Sequence, residues 1–269
     1  MKIFRVLKRN YRVIKTLLSS HSLFNVMDKI KLSKIKVDTN KKGFVFLKPK
    51  GWKHTIKIRK NFIDKEVVYY VLQDLYHLPP SSSKISDNSI ILDLGSNIGL
   101  TIAHMKHLYP GAKIIGYEMN QQNFLLAKRN IKFYDNVVIY NKAVWCEDGL
   151  VSYKKSSNFD AYAIIDNNDD LNIDEVIEVQ SMSMNSVIKD NKLTHIDYLK
   201  MDIEGAEKAI LESEDLSWMD IVYMMNIEMH SITEEDEFNK FLKIIESKGF
   251  CAWKDNKHWS SIFAVRNIL

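Results

Sequence analysis

Cysteine is nearly missing from this chain. Cys146 and Cys251 are two lone thiols in unlike contexts. They exclude a disulfide framework or a metal knuckle and suit a reducing cytosol. No run of eighteen apolar residues occurs, so no membrane-spanning helix is expected. Charges interrupt every apolar run in the first thirty residues, and no secretory signal is expected there. No internal repeat is visible. No Gly-Lys-Ser/Thr follows a glycine turn, which excludes a Walker loop. Acid is also scarce at one end. Residues 1–60 hold 18 Lys+Arg and 2 Asp+Glu, a charge of +16, whereas the rest holds 20 and 32, a charge of −12. A basic appendage on an acidic body implies an anionic partner for the N-terminus, or docking of the two parts on each other.

What is present is organised around Ile90-Ile-Leu-Asp-Leu-Gly-Ser-Asn-Ile-Gly-Leu100. Ile90 to Leu92 is an apolar run of the kind that makes a strand buried on both faces. Gly95 and Gly99 follow. Leu100 to Tyr109 then reads as a helix that Pro110-Gly111 stops. Strand, glycine turn and helix open a nucleotide-type site. Glycine lets the backbone approach a ligand with no Cβ in the way. The detail selects the ligand. A dinucleotide turn is Gly-x-Gly-x-x-Gly, with pyrophosphate on the helix N-terminus. Here the turn is Asp93-x-Gly95-x-Asn97-x-Gly99, with Ser96 inside it. The middle glycine is missing and a carboxylate stands at the strand end. Asp93 repels pyrophosphate but suits an ammonium. S-adenosylmethionine has no phosphate and carries an ammonium, so it fits better than a nicotinamide dinucleotide. Lys113 to Tyr117 reads as the second strand and Glu118 ends it, 25 residues after Asp93. An acid there can accept from both ribose hydroxyls. Asn120 then caps a helix carrying Phe124, Leu125 and Ala127.

Met1 to Ser19 reads as an amphipathic helix, with Lys2, Arg5, Lys8, Arg9, Arg12 and Lys15 on one side. Three uses compete: docking on this or a partner subunit, contact with an anionic membrane surface, and phosphate binding on nucleic acid. No aromatic-interleaved basic groove supports the last. Residues 25–42 read as a helix and linker. Phe44 to Leu47 and Thr55 to Arg59 read as strands around the Pro49-Lys50-Gly51 turn, and Asp64 to Leu78 as a helix. Pro79-Pro80-Ser-Ser-Ser83 sets the expected boundary, with a basic extension over 1–83 and the main domain over 84–269. Asn136 to Val144 reads as a third strand. Gly149 to Lys154 and Val176 to Ser181 read as an antiparallel pair outside the main sheet. The polar, acidic segment between them, including Asp166 to Asp170, is read as a loop. His195 to Met201 and Ile221 to Ile227 read as the fourth and fifth strands. Ser260 to Arg266 pairs with Phe250 to Trp253 in a final hairpin after a helix over Glu234 to Lys248. This order predicts an α/β doubly wound sheet.

In such a sheet, ligands bind at the carboxyl ends of the strands. The polar residues there are Asp93, Glu118, Asn141, Lys142, Asp202, Glu204, Glu228 and His230. That concentration suits methyl transfer, an in-line displacement in which the enzyme positions the pair and removes a proton. A hydroxyl acceptor needs a base. His230 is the candidate base, with Glu228 or Asp202 orienting it. A divalent cation such as Mg²⁺ on Asp202, Glu204 and His230 is the alternative means of acidifying a hydroxyl. Glu207 is read as serving either the site or the N-terminus of its helix. His104 and His107 are read as structural.

Asp93-Leu-Gly-Ser-Asn-Ile-Gly99, Tyr117-Glu118, Asn141-Lys-Ala143, Leu199-Lys-Met-Asp-Ile-Glu-Gly-Ala-Glu207 and Glu228-Met-His230 together resemble the FkbM family of S-adenosylmethionine-dependent methyltransferases. The resemblance spans roughly residues 55–265. It implies the class I, Rossmann-like fold: a seven-stranded, mostly parallel sheet with a C-terminal antiparallel hairpin, preceded here by a helical and β extension. It implies cofactor contacts at Asp93, Gly95, Asn97 and Glu118, an adenine-side contact near Ala143, and Asp202 beside the reactive centre. Ser96, Gly99, Met119 and Lys142 complete the expected cofactor set. Met119 stands where the family commonly has proline. The expected activity is O-methylation of a sugar, glycan or related small molecule. The alternatives are N- or carboxyl-methylation of a small metabolite and a non-catalytic binding or scaffold module. A nucleic-acid methyltransferase is disfavoured, because the fourth strand lacks Asn/Asp-Pro-Pro-aromatic. The expected setting is cytoplasmic, with residues 1–19 offering contact to the inner membrane surface, and a homo-oligomer stays open.

Overall fold

The computed structural model describes residues 23–35, 43–80, 85–154, 176–230, 232, 234–255 and 260–267. The helix expected over 1–19 and the acidic segment around Asp166 to Asp170 lie outside the described residues. No helix among the described residues is long and apolar enough to cross a membrane. The chain forms two compact units, Met1–Leu75 and Tyr76–Leu269. The division falls at Leu75 and Tyr76, ahead of the boundary expected at residue 83.

The first unit begins with α1 (Val26–Ser33), capped by Asn25, whose side chain accepts from the Asp28 amide at 2.8 Å. Asp28 turns inward and accepts from the Lys48 amide at 3.0 Å. Strands β1 (Phe44–Leu47) and β2 (Ile56–Arg59) pair antiparallel. Helix α2 (Phe62–Tyr69) follows, capped by Asn61. Its Asp64 is buried and binds the Arg59 guanidinium at 2.8 Å. The helix expected to reach Leu78 ends earlier. It loosens into a π-turn over Tyr70–Asp74 and stops at Leu75, whose φ of +56° is left-handed.

In the second unit, β3 (Ile90–Leu94) leads through the glycine turn into α3 (Leu100–Leu108). Then come β4 (Lys113–Tyr117), α4 (Gln121–Ile131) and β5 (Val137–Tyr140). The third expected strand is two elements. It leaves the main sheet at Asn141, and β6 (Ala143–Val144) joins a separate three-stranded sheet with β7 (Gly149–Lys154) and β8 (Val176–Met182). The break has a physical cause: the Asn141 side chain donates back to the Glu118 and Met119 carbonyls, both at 2.9 Å, and turns the chain. Helix α5 (Met184–Asn191), β9 (Tyr198–Met201), α6 (Ala206–Leu211), β10 (Met224–Glu228), α7 (Glu235–Ser247), β11 (Phe250–Lys254) and β12 (Ser261–Arg266) complete the unit.

The main sheet has seven strands in the order β11-β12-β10-β9-β3-β4-β5. Strands β10, β9, β3, β4 and β5 run parallel, and β12 is antiparallel to both β10 and β11. This is the doubly wound α/β sheet expected from the strand and helix order, in the seven-stranded class I form that the resemblance implies. Alternation along each strand sends Leu92, Leu94, Ile115 and Tyr117 into one core layer, and Ile91, Ile114, Tyr198 and Met224 into the other. The chain winds outward through β4 and β5, then returns to build β9 on the other flank of β3. The switch point therefore lies between β3 and β9.

Candidate active site

Register decides which polar groups meet at the switch point. Asp93 of β3 pairs with Lys200 of β9, and Lys200 pairs with Asn226 of β10. By alternation all three share the face of Ile91, Tyr198 and Met224, one step nearer the carboxyl ends. Asp93 and Lys200 are nearly or wholly buried. The Lys200 Nζ lies 3.0 Å from Asp202 Oδ2 and 3.7 Å from Asp93 Oδ1, and donates to the Gly95 carbonyl at 2.9 Å. Burial works against its charge. The Asp202 and Asp93 carboxylates overcome that and raise its pKa. The Tyr76 hydroxyl donates to Asp202 Oδ2 at 3.1 Å, and Asn226 holds the Tyr76 carbonyl at 2.9 Å. Burial would raise the Asp202 carboxyl, but Lys200 and His230 hold it below its ordinary value.

The glycine turn is built for close approach. Gly95 has φ +81°, and a Cβ there would fall 1.7 Å from the Asp202 carbonyl oxygen. Gly99 has φ +77° and would place a Cβ 3.0 Å from Ala127. Asn97 takes φ +47°, and its amide donates to Glu118 Oε2 at 2.8 Å. Ser96 is buried, and its hydroxyl donates to the Asp93 carbonyl at 3.0 Å. Glu118 also accepts from the Asn120 amide at 2.8 Å. Burial nevertheless pushes its carboxyl up to about 7, against those two amide bonds. Glu118 thus ties the turn after β3 to the end of β4. Met119 is half-buried beside it, its carbonyl engaged by Asn141. Lys142 is half-buried with Nζ 3.2 Å from Met182 Sδ, and Ala143 is buried at the start of β6.

A second group gathers at the ends of β9 and β10. His230 Nδ1 lies 2.9 Å from Glu207 Oε1. Its Nε2 faces Glu204 Oε2 at 3.4 Å, and Asp202 Oδ1 and Glu228 Oε1 both at 3.8 Å. The carboxylate fixing the ring is therefore Glu207, not Glu228 or Asp202. Glu207 is fully buried and also accepts from the Ile203 and Gly205 amides at 2.7 and 2.8 Å. Its carboxylate thus meets both the His230 ring and the backbone ahead of α6. Burial would lower the His230 pKa, but Glu207 and then Asp202 and Glu204 raise it to about 10. Burial raises Glu204 and Glu228 to about 8 each, with the neighbouring carboxylates adding to it. Glu204 takes φ +58° ahead of Gly205 at +108°, a left-handed pair that strains the loop for its geometry.

Asp202, Glu228 and His230 offer ligand atoms within 4.8 Å of one another. The expected cation set contained Glu204 in place of Glu228. Glu204 lies nearer to His230 Nε2, at 3.4 Å, but is not part of that group of three. His104 is buried, with Nδ1 3.1 Å from His77 Nε2, and burial drives its pKa down to about 4, in keeping with a structural role.

For S-adenosylmethionine the residues fit. Both Asp93 carboxylate oxygens are buried with no hydrogen-bond partner among the described residues, which leaves acceptors for an ammonium. Gly95 and Gly99 leave two points of the turn without a Cβ, and Glu118 stands at the end of β4 with its carboxylate fixed by two amides. Asn226 and Tyr76 escaped the reading of the sequence alone, and Lys200 stood in the Leu199 to Glu207 motif without a role of its own. Lys200 carried a signal: a charge inside the apolar run Tyr198-Leu-Lys-Met201 needs a buried partner. Asn226 carried a weaker one of the same kind. Tyr76 carried none, since its contact with Asp202 spans 126 positions.

Residues 93–251 match the family model described as the methyltransferase FkbM domain. A protein named Methyltransferase 1 from Beauveria bassiana is 23% identical over 223 residues, 76% of this chain and 86% of its own. Methyltransferase sdnD from Sordaria araneosa is 25% identical over 237 residues, 76% of this chain and 87% of its own. The crystal structure of an FkbM methyltransferase from Methylobacillus flagellatus KT aligns over 75% of this chain at 14% identity and a TM-score of 0.46. This chain spans about half of that one, 53%.

Proposed function

The chain belongs to the FkbM family of methyltransferases, and from that premise we propose that it transfers a methyl group from S-adenosylmethionine to a hydroxyl of a sugar, glycan or related small molecule. Asp93, Gly95, Ser96, Asn97, Gly99, Glu118, Met119, Lys142 and Ala143 would hold the cofactor, with Asp202 beside the reacting centre. When bound, the cofactor supplies an electrophilic methyl on a sulfonium, so the donor needs no activation. What a hydroxyl acceptor needs is a group to take its proton.

The single observation that carries this reading is the arrangement around His230. Its Nδ1 is fixed by Glu207, and its Nε2 is left facing the site among three carboxylates. With Lys200 and His230 as the cations, the four carboxylates Asp202, Glu204, Glu207 and Glu228 leave an excess of negative charge. Glu204, Glu228 and His230 therefore bind protons tightly and release them between about 8 and 10. Neutral His230 is then the proton acceptor, and the rate on a hydroxyl should climb with pH through that window. Lys200 holds Asp202 ionised under burial and opposes the rise that burial gives the Asp93 carboxyl, and Tyr76 fixes the Asp202 carboxylate. An amine acceptor would make little use of such a group.

A second reading has its own observation. Asp202, Glu228 and His230 are close enough to share a divalent cation, which would acidify the hydroxyl directly.

The test starts with titration calorimetry of the full chain with S-adenosylmethionine, its demethylated product and NAD. Turnover of hydroxylated acceptors is then followed by release of the demethylated product, with and without EDTA and Mg²⁺. His230→Ala should slow hydroxyl acceptors about 10²- to 10⁴-fold with cofactor affinity nearly unchanged. Full rate in that variant, or activity confined to amines, would reject the base. EDTA-sensitive turnover restored by Mg²⁺ would favour the cation reading. Cofactor binding with no turnover on any hydroxylated acceptor would favour a binding module.

A further inference from the structure

The N-terminal unit carries a surface that its own fold leaves unexplained. Helix α1 buries Asp28 and Leu32 and turns Val26, Met27 and Ile30 outward, exposed by 74%, 61% and 43%. Strand β1 alternates: Val45 and Leu47 go inside, while Phe44 and Phe46 point out, each 47% exposed. Lys31, one turn beyond Met27, reaches from α1 to the Phe46 carbonyl at 2.7 Å and joins the two outward faces. A cavity of about 540 Å³ lies between the C-terminal end of α1 and β1, lined by Lys31, Lys34, Ile35, Phe44, Phe46 and Lys60 among others. The Lys57 ammonium sits 3.5 Å from the centre of the Phe44 ring.

Five large exposed apolar side chains on two elements that Lys31 links mark an interaction site. The charge says of what kind. The described residues between 23 and 60 hold nine Lys and Arg against one acid, Asp28, and that acid is buried. The face is therefore apolar and cationic at once, and its complement is apolar and anionic. Nucleic acid supplies the anions but offers nothing to Val26, Met27 and Ile30. A lipid bilayer with anionic headgroups supplies both, phosphates for the lysines and the acyl boundary for the aromatic and aliphatic groups.

We infer that this face, formed by α1 and β1, docks the protein on an anionic lipid surface. Lys34 and Lys60 meet the phosphates, and Met27, Ile30, Phe44 and Phe46 enter the headgroup boundary. The site lies outside residues 1–19 and is independent of the methyl-transfer chemistry.

The test is vesicle flotation of the full chain on phosphatidylcholine with and without phosphatidylglycerol. Binding should require phosphatidylglycerol and weaken with salt. Phe44→Ser with Phe46→Ser should weaken it about tenfold or more, and Lys34→Glu with Lys60→Glu by a similar factor. Circular dichroism and the melting temperature of both variants check that the fold survives. A third variant, Arg5→Glu with Arg12→Glu, separates the sources. If it alone abolishes binding while the Phe44/Phe46 variant binds normally, the lipid address is the first segment and the inference fails. No binding to vesicles, equal binding to neutral vesicles, or binding to duplex DNA or RNA in place of vesicles would also overturn it. So would sedimentation showing a dimer that the Phe44/Phe46 variant turns into a monomer.

Discussion

Gly95→Ala, measured beside Gly205→Ala and Gly116→Ala, separates two costs at the centre of the site. At Gly95 the backbone is left-handed, with φ +81°, and the new Cβ would stand 1.7 Å from the Asp202 carbonyl oxygen and 2.8 Å from its carbon. Both atoms are backbone, so neither can swing aside. A left-handed L-residue costs about 1–2 kcal/mol, and forcing atoms into a packed site costs about 1–3 more. Gly205 has φ +108° but nothing within 4 Å of its would-be Cβ. It meets the backbone cost alone. Gly116 is the reverse case. Its backbone is ordinary, and its Cβ would meet the ends of Ser96 and Ile102 at 2.6 and 2.8 Å, a collision of about 1–3 kcal/mol that side-chain motion can relieve. For a chain of this size about 1 kcal/mol moves the melting temperature by roughly 2–4 °C. Gly95→Ala should therefore melt about 2–12 °C below Gly205→Ala. It should also weaken S-adenosylmethionine binding about tenfold or more in calorimetry, because the turn after β3 and the end of β9 must part. A Gly95→Ala protein that melts with Gly205→Ala and keeps its cofactor affinity would show that these two strand ends do not touch, and the site as built here would fall.

Three further outcomes follow from the same geometry. Tyr76→Phe removes the donor to Asp202 Oδ2. It should lower kcat/KM for the acceptor about three- to tenfold and raise the pH at which activity sets in, with the melting temperature shifted by a few degrees at most; an unchanged pH profile would leave Tyr76 a packing residue. Lys200→Met strands two carboxylates in the interior and should destabilise by about 3–5 kcal/mol. Adding Asp93→Asn should recover part of that loss in chemical denaturation, and failure to recover any would mean the two do not interact. The folded protein raises His230 to about 10 and Glu204 and Glu228 to about 8. Their contribution to stability is therefore complete below the unfolded values, 6.5 for the histidine and 4.5 for the two acids, and is lost as pH rises through the folded values. Thermal melts should fall from neutral pH toward pH 10, and Glu228→Gln should melt higher than the parent near pH 9 while gaining less near pH 6. A parent curve that is flat or rising there would contradict the clustered acids.

Much of this architecture was legible because its signals are local. The apolar run Ile90 to Leu92, the two glycines and the helix start lie within eleven residues, so their physics needs no distant partner. The paired strand near the C-terminus and the antiparallel pair β7 and β8 likewise follow from alternation and turns. Elements fixed by contact were harder to read. The third strand divides because Asn141 bonds back to two carbonyls. The helix after β2 ends at Leu75 in a left-handed turn that no glycine or proline announces.

The sequence by itself pointed to the class of ligand, through a turn that lacks the middle glycine of a dinucleotide site and carries a carboxylate at the strand end, and it singled out the carboxylates and the histidine of the candidate site. Tertiary structure alone decided how they are wired. Strand register set Asp93, Lys200 and Asn226 in one row. The turn of α6 brought Glu207, not Glu228, to His230. Folding carried Tyr76 across 126 positions to Asp202. Spacing along a chain reports which side chains share a face. Which of them share a proton depends on distances of 3 to 4 Å that only the packed sheet sets.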